Sequence, residues 1–299
     1  MDIDIQRRFN NHRIAVLQTD HASLMVTLDA GPRVLHYALK DSLDQADNVF
    51  HVFTGDLAGG QQDQWLSMGG HRLWLAPEVT STYFPDNNPV QLEQTGANEV
   101  ILSPPAEPLV QKQIGIEMFE DSSTVCLTHR ITALEDLEQP VAAWALTVMK
   151  AGGTAEVPLP PAAPHPADAP ADAEAPDSYL PDRHLALWSY TRLNDARFEW
   201  KADSLLIRQQ SGTRSLKIGL LHELGAVSYT VNDLQFTKTV AFEDGAVYPD
   251  RNSNLEIYTN GEMLELETLS PLRRLRSGES ITHRETWTLA SIGQARTTS

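Results

Sequence analysis

The chain has 299 residues, 41% of them hydrophobic, which is enough to bury a substantial core and rules out global disorder. Its 40 Asp and Glu against 23 Lys and Arg leave a net charge of −17. This argues against nucleic acid or an anionic membrane as the main partner, since both require a basic footprint.

The N-terminal MDIDIQRRF has no secretory character, and no stretch approaches the roughly 18 apolar residues of a membrane helix. A soluble, cytoplasmic protein is therefore expected. From there the apolar period is two rather than 3.6. RIAVLQT, SLMVTLDA and PRVLHYAL read as short strands separated by turn residues such as DAGPR. The stretch MGGHRLWLAPE follows, residues 68–78, where Gly69-Gly70 permits a bulge or a close backbone approach ahead of a strand. Alternation along that strand puts His71, Leu73 and Leu75 on one face and Arg72, Trp74 and Ala76 on the other.

NEVILSP, STVCLTHRITAL and AAWALTVM continue the strand pattern. The single cysteine, Cys126, has no partner for an internal disulfide and reads as a small core residue. Val157 to Pro181, rich in Pro, Ala and Asp, has little to bury and breaks the pattern. It reads as a solvated loop inserted into one domain spanning 1–299, a lid over a site being the rarer alternative. Beyond it, SLLIRQQ, LKIGLL, AVSYTVND, LQFTKTVAF, NLEIYTN, MLELETLS and ESITHRETWTLA are again strand-like. More than a dozen strands without a long amphipathic helix imply an all-β, large antiparallel sandwich, because a parallel α/β fold needs crossover helices.

Chemistry can lie in two places. Arg72 and Trp74 on one face suit a sugar: an aromatic plate for the apolar ring face and a forked donor for its oxygens. The plain alternative is a surface arginine stacked on a tryptophan. In NLEIYTNGEMLELETL, a hairpin signalled by Asn260-Gly261, Glu265 and Glu267 project from the same side and Glu256 lies on the preceding strand. Two acids so close raise at least one pKa, although alternating Glu and Leu also describes a strand with one solvated face. His222 and His283 sit in apolar strands and read as structural. Lys238, alone amid strand residues, either reaches an acidic ligand or protects an edge. The ten histidines form no HExxH, HxH or Cys/His zinc spacing, so no transition-metal site and no cofactor is indicated; acidic side chains leave Ca²⁺ open.

VTLDAGPRVLHYAL, GGHRLWLAPE, AAWALTVMKAGG, YLPDRHLALWSYTRLNDAR, YPDRNSNLEIYTN and LELETLSPLRRLRSGESITHRETWTL occur in that order. In this the chain resembles an uncharacterised bacterial domain family among the galactose-mutarotase-like, aldose 1-epimerase-like proteins, over about residues 10 to 290. The resemblance implies a β-supersandwich whose concave face binds carbohydrate. It implies Glu267, in LETL, as a general base, and Arg33 with His71 and Arg72 as counterparts of an early Arg and His beside a Gly-Gly. The family's mid-chain acid histidine has no match, since the corresponding strand VAAWALTV carries Trp144 instead.

The expectation is thus a sugar epimerase-like enzyme with Glu267 as base and His71 as acid. Arg33, Arg72, Trp74, Glu78, Lys238, Glu256 and Glu265 would bind a free sugar or sugar phosphate. A non-catalytic carbohydrate-binding module of the same fold and a protein-interaction domain are the alternatives.

Overall fold

The computed structural model describes residues 1–40, 42–53, 67–161, 165 and 183–293. In chain order its strands are β1 (Asp2–Phe9), β2 (His12–Gln18), β3 (Ala22–Thr27), β4 (Val34–Leu39), β5 (His71–Ala76), β6 (Gln91–Gln94) and β7 (Glu99–Ser103). Next come β8 (Val110–Met118), β9 (Val125–Ala133), β10 (Ala142–Met149), β11 (Thr154–Pro158), β12 (His184–Leu187), β13 (Phe198–Trp200) and β14 (Ser204–Arg208). The last six are β15 (Leu216–Leu221), β16 (Ala226–Val231), β17 (Leu234–Val240), β18 (Leu255–Thr259), β19 (Leu264–Leu269) and β20 (Ser280–Ser291). Among the described residues no helix is long and apolar enough to cross a membrane.

These strands form two ten-stranded antiparallel sheets. The first runs β1-β2-β3-β4-β5-β10-β19-β18-β15-β12 and the second β13-β14-β11-β16-β17-β20-β9-β8-β7-β6. Both sheets draw strands from before and after the Pro/Ala/Asp-rich stretch. Strand β11 continues through Pro158, so the irregular stretch begins later than Val157; of residues 159–181 only 159–161 and 165 are described.

The main core lies between the sheets, where Leu24, Leu73, Ile257 and Leu266 of the first meet Ile114, Leu127, Phe236 and Trp287 of the second. Each such side chain contributes roughly 1.5–3 kcal/mol by leaving water. Strand β8 shows the alternation of a sheet with one covered face, its odd positions buried and its even ones partly open. Strand β10 does not: all eight of its residues are buried. It lies between β5 and β19, and its outward face carries a second, smaller apolar cluster of Trp74, Ala76, Ala142, Trp144, Leu146 and Leu269. That second covered face is where the site is built.

The two glycines before β5 are required by backbone geometry. Gly69 and Gly70 have φ of +78° and +65°, and a Cβ on Gly70 would sit 2.2 Å from the Val34 carbonyl oxygen. Gly69 lets the chain press against His51, and Gly70 against β4, before β5 begins. Cys126, expected in the core, is instead half-buried on the outer face of β9 against Thr286.

Candidate functional site

The register of the central strands lays out the site. Arg72, Leu146, Glu267 and Glu256 are successive cross-strand partners on β5, β10, β19 and β18, so they share one face of the first sheet. The flanking rows on that face are Trp74–Trp144–Leu269 and Val148–Glu265–Tyr258–Lys217. Opposite Glu256 stands Gly219, where a Cβ would run into the Ser253 side chain at 2.4 Å.

At the centre Lys217 Nζ bridges two acids, 2.7 Å from Glu256 Oε2 and 2.8 Å from Glu267 Oε2. Trp144 Nε1 donates to the same Glu267 oxygen at 2.7 Å. Glu267 Oε1 and Glu256 Oε1 are buried and have no hydrogen-bond partner among the described residues. Burial, and then the neighbouring Glu267, push the Glu256 carboxyl well above the ordinary range against the pull of Lys217. The ammonium also lies 4.9 Å from the Trp144 ring and 4.8 Å from the Trp188 ring, so aromatic faces wall it in.

Glu265 sits two residues along the same strand and, unlike Glu267, is partly reached by solvent. Burial and the Glu267 charge raise its pKa to about 7, although Arg72 and Lys217 oppose the shift. Tyr190, half exposed, feels the fields of Lys217, Glu267 and Glu78. Glu78, exposed two residues beyond the end of β5, acts electrostatically on Glu265 and Tyr83 and so belongs to the rim.

The Arg72 guanidinium stacks 4.1 Å over Trp74, whose ring meets Trp144 and Tyr83 with centroids 5.7 and 4.9 Å away. Trp74 Nε1 donates to Asp86 Oδ2 at 3.1 Å, and Asp86 is also gripped by Arg33 and Lys112, each at 2.7 Å. Burial alone would raise the Asp86 carboxyl, but Lys112 and Arg33 hold it below its ordinary value. Arg33 was expected to touch sugar; with 1% of its surface exposed, it instead anchors the aromatic wall through Asp86.

Two expected residues lie elsewhere. His71 points to the opposite face of β5, into the space between the sheets, as does Lys238 from the facing sheet. Alternation requires this, because Arg72 and His71 are adjacent. His71 therefore cannot share a ligand with Glu267, and His71 as the acid is corrected: it is shielded by a whole sheet and fully buried. Burial also drives its pKa well below the ordinary value, leaving it neutral.

The interior group consists of His71, His129, His283, Glu285, Lys238, Thr147 and Thr268. Lys238 Nζ donates to Glu285 Oε1 at 2.9 Å, Thr147 Oγ1 at 2.6 Å and the Leu266 carbonyl at 3.2 Å, using all three protons. His71 Nδ1 meets Thr147 Oγ1 at 2.8 Å, its Nε2 meets His129 Nε2 at 2.7 Å, and His129 Nδ1 meets the His283 carbonyl at 3.1 Å. Only one proton order satisfies this chain. His129 Nδ1 must carry the proton facing a carbonyl, so its Nε2 accepts from His71 Nε2–H, and His71 Nδ1 accepts from Thr147. Among the described residues, His71, His129 and Glu285 have ligand atoms within 4.8 Å of one another, a metal-like spacing. Hydrogen bonds account for that spacing, and the Lys238 ammonium already balances the one carboxylate.

A cavity of about 1200 Å³ opens beyond the end of β5, between residues 77–82, 135–141 and 247–252. It touches none of the carboxylates above.

No family model and no curated protein matches the chain. Solved structures do. A galactose mutarotase-like protein from Lactobacillus casei superposes with a TM-score of 0.56 at 9% identity, covering 93% of this chain and 100% of that one. The fold is galactose-mutarotase-like. A second such protein, from Clostridium acetobutylicum, gives 0.55 at 9% identity over 97% of this chain and 99% of its own. A candidate aldose 1-epimerase from Klebsiella pneumoniae gives 0.54 at 11% identity over 97% and 83%. At these identities the likeness concerns the fold, and the site must be argued from its own residues. Lys217, Trp188, Tyr190, Tyr83 and Asp86 went unnoticed in the sequence. Lys217 alone left a signal there, as the one charge in LKIGLL.

Proposed function

We propose that this galactose-mutarotase-like protein takes a neutral sugar on the outer face of its first sheet and interconverts the sugar's anomers by proton transfer through Glu267. The observation that carries this reading is the Glu267 carboxylate itself. Trp144 and Lys217 hold Oε2, while Oε1, on the outer face of the sheet, is buried and has no hydrogen-bond partner among the described residues. A base needs one oxygen fixed and one lone pair free to take the anomeric hydroxyl proton.

Charge speaks for a free sugar over a sugar phosphate. Arg72 and Lys217 face Glu78, Glu256, Glu265 and Glu267, and Lys217 is already spent between two carboxylates. A phosphate would meet an acidic surplus without an unused cation. Trp74, Trp144 and Trp188 supply the flat apolar surfaces that sugar C–H faces pack on.

A binding-only role is the second reading. It is favoured by the complete burial of Glu267, which a hydroxyl reaches only when overlying side chains shift. Saturation-transfer and exchange NMR on a panel of free sugars separates the two. Anomeric exchange above the uncatalysed rate that is lost in Glu267→Gln supports the enzyme. Binding without faster exchange supports the module, and binding of sugar phosphates alone overturns the charge argument.

A further inference from the structure

Opening a pyranose needs two proton transfers: one off the anomeric O1 hydroxyl and one onto the ring oxygen O5. With Glu267 as base, a second group must supply the O5 proton. His71 is on the wrong side of the sheet. Among the groups that the register brings to the cleft face, Arg72 does not release its proton at working pH, and Lys217 is committed to two carboxylates. Tyr190 holds its proton too tightly, its pKa being pushed up to about 12. Glu256 is fully buried, and the Tyr258 hydroxyl on the same face is engaged with Ser215 at 2.8 Å. Glu265 remains.

Resting on the mutarotation reading above, we infer that Glu265 is the catalytic acid that protonates the ring oxygen, forming a carboxylic acid–carboxylate couple with Glu267 on one strand. Three observations converge. First, Glu265 and Glu267 are i and i+2 on β19, so they share a face with their Cα atoms about 7 Å apart. Secondly, Glu265 alone of the three strand glutamates in the cleft is reached by solvent. Thirdly, burial and the charges of Glu267 on its own strand and Glu78 on the rim favour retention of the Glu265 proton, against Arg72 and Lys217, while Tyr258 is its register partner on β18. Its pKa of about 7 then leaves it substantially protonated near neutrality.

Both carboxyls approach from one side of the sugar. Displacement at the anomeric carbon by a flanking acid pair would need groups on opposite sides of the scissile bond. O1 and O5 are both bonded to C1, so a same-side couple suits a proton shuttle. Glu267 takes the O1 proton as the O1 electron pair forms the C1 carbonyl. The C1–O5 bond breaks, and its pair takes the proton from Glu265. The free aldehyde turns about C1–C2. Ring closure reverses the steps: Glu265 recovers its proton from O5, O5 attacks C1, and Glu267 returns a proton to O1. Atoms and charge balance without any co-reactant.

The test joins an activity-independent readout to a kinetic one. The Glu265 side-chain carboxyl, identified by ¹³C NMR against Glu265→Gln, is titrated in the wild type and in Glu267→Gln. The expected midpoint is near 7, falling towards the ordinary range when the Glu267 charge is removed. Exchange kinetics should fall at least about 100-fold in Glu265→Gln with sugar binding retained, and the alkaline limb of the wild-type profile should follow the NMR midpoint. An ordinary carboxylate midpoint, or Glu265→Gln exchanging at the wild-type rate while Glu267→Gln is inactive, overturns the acid assignment alone. Wild-type silence on every sugar overturns the mutarotation reading and, with it, this one.

Discussion

Replacing Lys238 by methionine tests whether the interior polar group is structural. Methionine nearly conserves volume and removes only the ammonium, so packing loss is small. The Glu285 carboxylate is then left buried beside three neutral imidazoles, keeping donors only from Thr268 and Trp287 Nε1. Removing one partner of a buried ion pair costs about 3–5 kcal/mol, and the Leu266 carbonyl and Thr147 hydroxyl lose their donors as well. A loss of about 3–5 kcal/mol at pH 8 is therefore expected in urea denaturation, followed by tryptophan fluorescence. The pH dependence has a definite sign. In the wild type burial opposes ionisation, but the Lys238 ammonium holds Glu285 well below the ordinary range. That stability is present above the unfolded carboxylate pKa and is lost as acid titrates the folded group. In Lys238→Met burial wins and the folded carboxyl takes up a proton, so the variant should gain stability from pH 8 down to pH 5. Adding Glu285→Gln should recover at least half of the loss. A single-variant loss below about 1 kcal/mol with an unchanged m value, or a double variant no better than the single, would refute the structural account.

Three further outcomes are expected. Glu265→Gln should stabilise the protein at pH 8 by up to about 3 kcal/mol and leave it unchanged at pH 4. Moving a carboxyl from 4.5 to about 7 makes its ionisation that costly in the folded chain, at about 1.36 kcal/mol per pH unit; chemical denaturation at the two pH values measures it. Gly70→Ala should cost more than about 2 kcal/mol, because its Cβ meets the Val34 carbonyl oxygen at 2.2 Å. Gly152→Ala, at φ +87° with open space around the added atom, should cost only about 1 kcal/mol, so the two melts separate crowding from backbone strain.

Much of this architecture is legible in a line of residues. The period of two announces the strands, and the lack of helical stretches leaves an antiparallel sandwich as the outcome. Alternation also settles that Arg72 and Trp74 share a face, that Glu265 and Glu267 do, and that His71 cannot join Arg72. The strands that escape notice are β1, with its charged DIDIQRRF, the short β6, β11, β12 and β13, and also β8, although its VQKQIGIEM alternates plainly between buried and open positions. Their pairing partners hold them in place, and a partner is not a local property.

What alternation leaves undetermined is which of a strand's two faces meets the other sheet. A period of two is symmetric between faces, and contrast in burial is needed to break that symmetry. In β5 the contrast is absent, because Leu73 and Leu75 on one side are balanced by Trp74 and Ala76 on the other, and all six residues are buried. The tertiary structure decides: β9, β17 and β20 bring His129, Lys238 and Glu285 over His71, whereas β15 brings Lys217 between Glu256 and Glu267. Those groups are separated by tens to hundreds of residues. Charges in such settings take their meaning from what the sheets bring against them, because burial sets the cost of a charge and only a partner across the fold can offset it.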